Sequence, residues 1–129
     1  MLISGILNPH IAGLLARVRH TNTLVIADRG FPFWPTIETV DISLVDDVPT
    51  VLQVLTAIRA NYVIGNITMA AEFVDNNTPL VRQRFADVMA GVPVVYEPHG
   101  EFKKRIPQAI GLIRTGDTIQ YANMILTSA

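Results

Sequence analysis

Asp28 closes an unbroken apolar run, Leu24-Val25-Ile26-Ala27, and Arg29-Gly30-Phe31-Pro32 follows it. Such a run reads as a central strand covered on both faces. The carboxylate then stands at the strand's carboxyl end, where open α/β sheets place their ligands. His20 lies a few residues upstream, in a polar turn. His99 follows a second short apolar run, residues 92–96, and Lys103 comes one helical turn later on the same face. Tyr121 and Asn123 alternate on what reads as a final strand and so share one face. Each of these residues also has a plain structural role open to it. Asp28 suits a turn, His20 an exposed or capping position, and His99 a helix start. Lys103 suits a solvated face, and Tyr121 with Asn123 a cross-strand pair. Taken together, the residue types suit acid–base chemistry at neutral pH and the gripping of a small polar ligand.

Other chemistries lack their residues. There is no cysteine, so disulfides, thiolate metal sites and a cysteine nucleophile are excluded. No glycine-rich phosphate loop and no Gly-x-Ser-x-Gly elbow occurs. The three histidines are widely spaced, with no pairing that suggests a metal. A formal charge of −1 offers no electrostatic case for nucleic acid or an anionic membrane surface.

The elements that must position the candidates follow from capping and periodicity. Asn8-Pro9-His10 opens a helix whose apolar face is Ile11, Leu14, Leu15 and Val18. Residues 24–27 form the central strand, and residues 29–35 an irregular loop carrying Phe31, Phe33 and Trp34. Residues 36–44 are expected to be extended. Asp46-Asp47-Val48-Pro49 is expected to start a second helix. Residues 62–71 read as a strand, and Asn76-Asn77-Thr78-Pro79 opens a third helix that Gly91 stops. Residues 92–96 form a strand, and a helical connector runs from His99 to Pro107. Residues 110–113 and 121–126 read as two closing strands joined by a turn at Arg114-Thr115-Gly116-Asp117, and they are expected to pair as a hairpin.

Strands alternating with helices predict a single three-layer α/β/α domain over residues 1–129, with a mixed, mostly parallel central sheet. Half of the residues are hydrophobic and only 16% are charged, which predicts apolar surface buried between copies of the chain. Residues 1–7 are apolar but too short, and too poor in early basic residues, for a signal peptide. No stretch approaches the length of a membrane span. The expected location is cytoplasmic.

An ordered set of short motifs adds a resemblance. Gly5-Ile6-Leu7-Asn8 with His10, His20-Thr21, Ile26-Ala27-Asp28 with Gly30 and Pro32, and Ala70-Ala71-Glu72 lie in the first part of the chain. His99 with Phe102-Lys103, Arg114-Thr115-Gly116, and Tyr121-Ala122-Asn123 with Ile125-Leu126 follow. Together, over the whole chain, they resemble the RbsD/FucU sugar mutarotase family. The resemblance implies interconversion of the cyclic forms of a free monosaccharide. In one branch β-D-ribopyranose passes to β-D-ribofuranose; in the other the anomers of L-fucose exchange. It implies no metal and no organic cofactor, a central-sheet α/β fold, a homo-oligomer, commonly a decamer, and a sugar site near a subunit boundary. By the same resemblance His20 is catalytic, as proton donor. Asp28, His99, Tyr121, Ala122 and Asn123 bind the sugar, and Lys103 lies near the site.

The implied chemistry agrees with the residues present. Ring interchange passes through the open-chain aldehyde. One group takes the anomeric hydroxyl proton while another protonates the departing ring oxygen. Imidazole, with an ordinary pKa of about 6.5, suits such exchange at neutral pH. Arg29 departs from the family pattern beside the aspartate, and Phe33-Trp34 makes the next loop bulky. Phe31-Pro32 is reminiscent of the fucose branch, whereas His99 with Lys103 and the alanine of Tyr121-Ala122-Asn123 favour the ribose branch. Arg29 and the aromatic loop are therefore expected to decide which sugar is used. A non-catalytic monosaccharide-binding protein is the alternative from another class.

Overall fold

A cap and a proline coincide at the start of helix α1 (Pro9–Arg17). The Asn8 carboxamide oxygen accepts from the His10 and Ile11 N–H groups at 2.9 and 3.0 Å, and Pro9 has no N–H to leave unpaired. The computed structural model describes all of Met1–Ala129. After α1 come β1 (Thr23–Ala27), β2 (Glu38–Asp41), α2 (Val51–Arg59), β3 (Ile64–Ala70), α3 (Glu72–Asn76) and α4 (Pro79–Met89). The chain continues through β4 (Val94–Glu97), α5 (His99–Arg105), a 3₁₀ turn (Ile106–Gln108), β5 (Gly111–Arg114) and β6 (Met124–Ser128). Helix α4 repeats the logic of α1, with Thr78 as cap and Pro79 in the first turn.

Two elements differ from expectation. Helix α2 begins after Thr50, not at residues 46–49. Thr50 Oγ1 accepts from the Gln53 N–H, and the Gln53 side chain accepts from the Thr50 N–H. This reciprocal pair satisfies two otherwise orphaned donors at once. Asp46 is engaged with Arg29, and Asp47 with Thr118. Helix α3 was not expected at all: it is five residues long, too short to show a helical period, and only Phe73 is buried.

The sheet runs in the order β2-β5-β1-β6-β3-β4. Strand β1 pairs in parallel with β5, which pairs in parallel with β2; β3 and β4 are also parallel. Strand β6 lies antiparallel between β1 and β3. The sheet is therefore mixed and mostly parallel, as predicted for an α/β protein, but β5 and β6 do not form a hairpin. Nine residues separate them, well beyond the two to five or so of a hairpin loop. That connection crosses the carboxyl end of β1, so β6 descends on the far side of β1. The segment Arg114-Thr115-Gly116-Asp117 is accordingly no hairpin turn but the beginning of a strap laid over β1.

Side chains alternate across the sheet. Leu24 and Ile26 of β1 join the larger core cluster with residues of α1, α2, α3 and α4. Val25 and Ala27 face the other way, toward Phe31, Phe102, Ile106 and Leu112. A helical layer thus covers each face, with α5 and the loop after β1 on the smaller side. No helix is long and apolar enough to cross a membrane, and no group of three His, Cys, Asp or Glu side chains is placed to hold a metal ion.

Candidate functional site

The strap is stitched to β1 by hydrogen bonds that leave Asp28 at the surface of a hollow. Thr115 donates to the Ala27 carbonyl through both its N–H and its Oγ1, at 2.9 and 2.8 Å. The Arg29 N–H donates to the Asp117 carbonyl at 3.1 Å. Asp117 is 2% exposed, and both carboxylate oxygens are used: one accepts from the Val51 N–H at the start of α2, the other from the Ile119 N–H, each at 2.8 Å. Gly116 must be a glycine, since a Cβ there would lie 2.3 Å from the Val45 carbonyl oxygen. Arg114 reaches back from β5 toward the carbonyls of Asp28, Arg29 and Pro32 at 3.3–3.4 Å, which holds the loop after β1.

The strap ends at Tyr121-Ala122-Asn123. Tyr121 lies outside β6, with φ at +56°, so it does not alternate with Asn123 on a strand as expected. It nevertheless reaches the same hollow. A non-glycine residue in this region costs about 1–3 kcal/mol, and such residues cluster at functional sites. Ala122 is fully buried beneath the turn and contributes no wall. Asn123 is 4% exposed. Its Oδ1 accepts from the Asp28 N–H at 2.7 Å, and its Nδ2 donates to Asp28 Oδ2 at 3.1 Å. Asp28 Oδ1 accepts from the Gly30 N–H at 3.0 Å.

The result is an open cavity of about 340 Å³ lined by Asp28, Gly30, Phe31, Pro32, His99, Gln120, Tyr121 and Asn123. That volume lies within the range of about 300–1,000 Å³ typical of small-molecule sites. His99 stands at the start of α5. Its ring stacks on Phe102 with centroids 6.0 Å apart and meets the edges or faces of Tyr121 at 5.1 Å and Phe31 at 6.4 Å. Its Nδ1 is buried without a hydrogen-bond partner, which leaves Nε2 as the nitrogen available to a ligand.

Four of the residues singled out from the sequence, Asp28, His99, Tyr121 and Asn123, are therefore brought to one cavity from three separate stretches. Lys103 shares the His99 face of α5 but lies outside the lining. His20 is exposed, before the start of β1, beside Thr21, whose N–H donates to the Ser128 carbonyl. The five residues of β1, at about 3.3 Å each, put about 16 Å between the two ends of that strand. His20 and Asp28 thus occupy opposite ends of the sheet. Arg29 also faces away, in an ion pair with Asp46 at 2.6 Å. Phe31 and Pro32 form part of the wall, whereas Phe33 is exposed. Gln120 was missed by sequence reasoning; its only signal was its place beside Tyr121.

Burial pushes the Asp28 carboxyl above its ordinary value of 3.8, against the opposing effect of the Gly30 N–H and the Asn123 amide, which stabilise the anion. The folded state therefore disfavours ionisation, and Asp28 subtracts stability as pH rises from 3.8 through its folded value. A ¹³C titration of the Asp28 carboxyl carbon should show a midpoint above 3.8. Removing one stabilising donor in Asn123→Ala should raise the midpoint further; a fall would contradict this origin of the shift.

Comparison with known proteins agrees with this picture. The profile of the RbsD / FucU transport protein family matches residues 1–129. A D-ribose pyranase of Geobacillus kaustophilus is 44% identical over 97% of this chain and 91% of its own length. The structure of Bacillus subtilis RbsD complexed with D-ribose superposes with a TM-score of 0.92 at 31% identity, covering 100% of this chain and 98% of that one. A fucose mutarotase from Streptococcus pneumoniae in complex with L-fucose shares the fold, with a TM-score of 0.80 at 19% identity over 95% and 92% of the two chains.

Proposed function

Because the chain belongs to the RbsD / FucU family, we propose that the cavity at the end of β1 binds a free aldose, ribose first among them, and interconverts its pyranose and furanose rings. The activity is that of an isomerase of the ribose pyranase and mutarotase kind. The observation that carries the reading is the convergence of Asp28, His99, Tyr121 and Asn123 on one polar cavity, in a chain 44% identical to a D-ribose pyranase.

Each residue has a role in the reaction. Asp28, a stronger base than a solvated carboxylate, takes the proton of the anomeric hydroxyl. As the carbonyl forms at C1, the bond from C1 to the ring oxygen breaks, and His20 delivers a proton to that oxygen. Closure reverses the sequence with O4 attacking C1, so the proton count returns to its start. His99 Nε2, the Tyr121 hydroxyl and the Asn123 amide hold the remaining hydroxyls through the open-chain stage. Ala122 sets the spacing of the last two, and Lys103 supplies positive charge beside the site. No step calls for a cofactor.

His20 cannot act on the cavity of its own chain across the length of β1. The reading therefore requires a second copy that presents its His20 end to the cavity end of the first. Exposed apolar side chains support such a contact. Val63 lies at the His20 end, where its carbonyl accepts from Ala129, and Leu44, Val45 and Val48 lie at the cavity end beside Gly116. A head-to-tail contact of this kind generates a ring where its rotation closes and an open filament where it does not. A decamer of such one-domain chains, located in the cytoplasm, completes the proposal.

Saturation-transfer NMR over a panel of aldoses tests it. Ribopyranose and ribofuranose signals should exchange faster than in buffer, with L-fucose anomers slower to respond. No acceleration for any aldose would overturn the reading. Ribose binding by calorimetry, with exchange at the buffer rate, would instead identify a non-catalytic sugar-binding protein.

A further inference from the structure

We propose that Glu72 is the positioning residue for His99. The inference rests on the sugar-isomerase reading above and extends it to a residue that does not line the cavity.

Helix α5 has no side-chain cap of its own, because Pro98 precedes it. The His99 N–H would be an orphaned donor at the mouth of the site. Glu72 supplies the acceptor, with carboxylate oxygens 2.9 and 3.1 Å from that nitrogen. The sheet brings the two together. Strands β3 and β4 are parallel neighbours with Ala70 opposite Glu97, and the Ala71 N–H donates to the Glu97 carbonyl at 2.7 Å. The residue that opens α3 therefore meets the residue that opens α5.

The imidazole itself has no other polar anchor. Its Nδ1 is buried without a partner, and its ring is held only by packing against Phe31, Phe102 and Tyr121. The position of the ring over the cavity thus depends on where the backbone of His99 is pinned. Glu72 pins it, with a charge-assisted bond that is stronger than a neutral one. Its effect on the sugar passes entirely through His99.

The test compares wild type with Glu72→Ala, Glu72→Gln, His99→Ala and the Glu72→Ala/His99→Ala double variant in ribose exchange. Glu72→Ala should raise KM roughly tenfold with kcat changed by less than about twofold, the signature of lost sugar binding. Glu72→Gln keeps one acceptor oxygen and should fall between, at about threefold in KM. In a His99→Ala background the Glu72 effect should vanish, because the two residues act as one unit. The His99 imidazole ¹⁵N signals should move in both single Glu72 variants. Wild-type KM in Glu72→Ala, or an equal loss with and without His99, overturns the inference. If Glu72→Ala does not fold, wild-type KM and unmoved ¹⁵N signals in Glu72→Gln overturn it. If wild type accelerates no aldose, it is the isomerase reading that fails, and the ¹⁵N signals still report whether Glu72 holds the ring.

Discussion

His20→Ala should lower ribose ring exchange by about 10²–10⁴-fold, the usual contribution of a positioned acid–base group, while leaving thermal stability within about 1 kcal/mol of wild type, as is usual for surface substitutions. The side chain is exposed and makes no hydrogen bond in the isolated chain, so little native structure is lost with it. The larger consequence follows from its position. His20 and Asp28 lie at opposite ends of β1, so the proposed mechanism requires each site to take its histidine from one chain and its carboxylate from another. Asp28→Asn should be as inactive as His20→Ala. Mixing the two inactive proteins, with dissociation and reassembly, should then restore activity. With random assembly, roughly a quarter of the head-to-tail contacts join an intact cavity to an intact histidine. Recovery toward that fraction, read by saturation-transfer NMR, supports a shared site. A mixture that stays inactive after verified subunit exchange rules it out and returns the proton transfer to groups within one chain.

Asp117→Ala should be the most damaging of the single substitutions to the fold. Asp117 is buried and accepts from the N–H groups of Val51 and Ile119. Alanine strands both donors, at about 1–3 kcal/mol each, and removes a partner from the first turn of α2. A total near 3 kcal/mol corresponds to a fall in Tm of about 10 °C for a chain of this size. Asp117→Asn retains one acceptor and should lose about half as much. Thermal unfolding followed by circular dichroism measures both. Ribose exchange should weaken alongside, because the strap anchored by Asp117 carries Gln120 and Tyr121 to the cavity. An Asp117→Ala protein as stable as wild type would mean that water replaces the carboxylate and that the strap holds itself.

The way the strap is held explains why Asp117 was not recognised in the sequence. A short polar run between two apolar runs has the composition of a hairpin turn, and Arg114-Thr115-Gly116-Asp117 has that composition. What distinguishes it is the partner of each polar group: Ala27 for Thr115, Pro49 for the Gly116 N–H, Val51 for Asp117. All three are distant in sequence, and local pattern carries no record of them. The partner of Arg29 is equally hidden from local pattern. Its place beside Asp28 suggested a hand in sugar choice, yet its guanidinium pairs with Asp46 outside the cavity. Sugar preference is better sought in Phe31, Pro32 and Gln120, which do form the wall.

Local chemistry determined much of this protein from the sequence alone. Asparagine or threonine before proline starts α1 and α4, because the cap and the missing N–H are satisfied within a few residues. The unbroken apolar run of β1 reveals a strand buried on both faces and places Asp28 at its end. The alternation of these elements gives the α/β class, and the ordered motifs give the family. Three things depended on contacts between distant residues, and the tertiary structure decided them. Strand β6 inserts beside β1 because the long strap crosses over it. Tyr121 turns into the cavity from a left-handed backbone position. His20, only eight residues before Asp28, stands a strand's length away from it, because an extended chain carries its two ends apart.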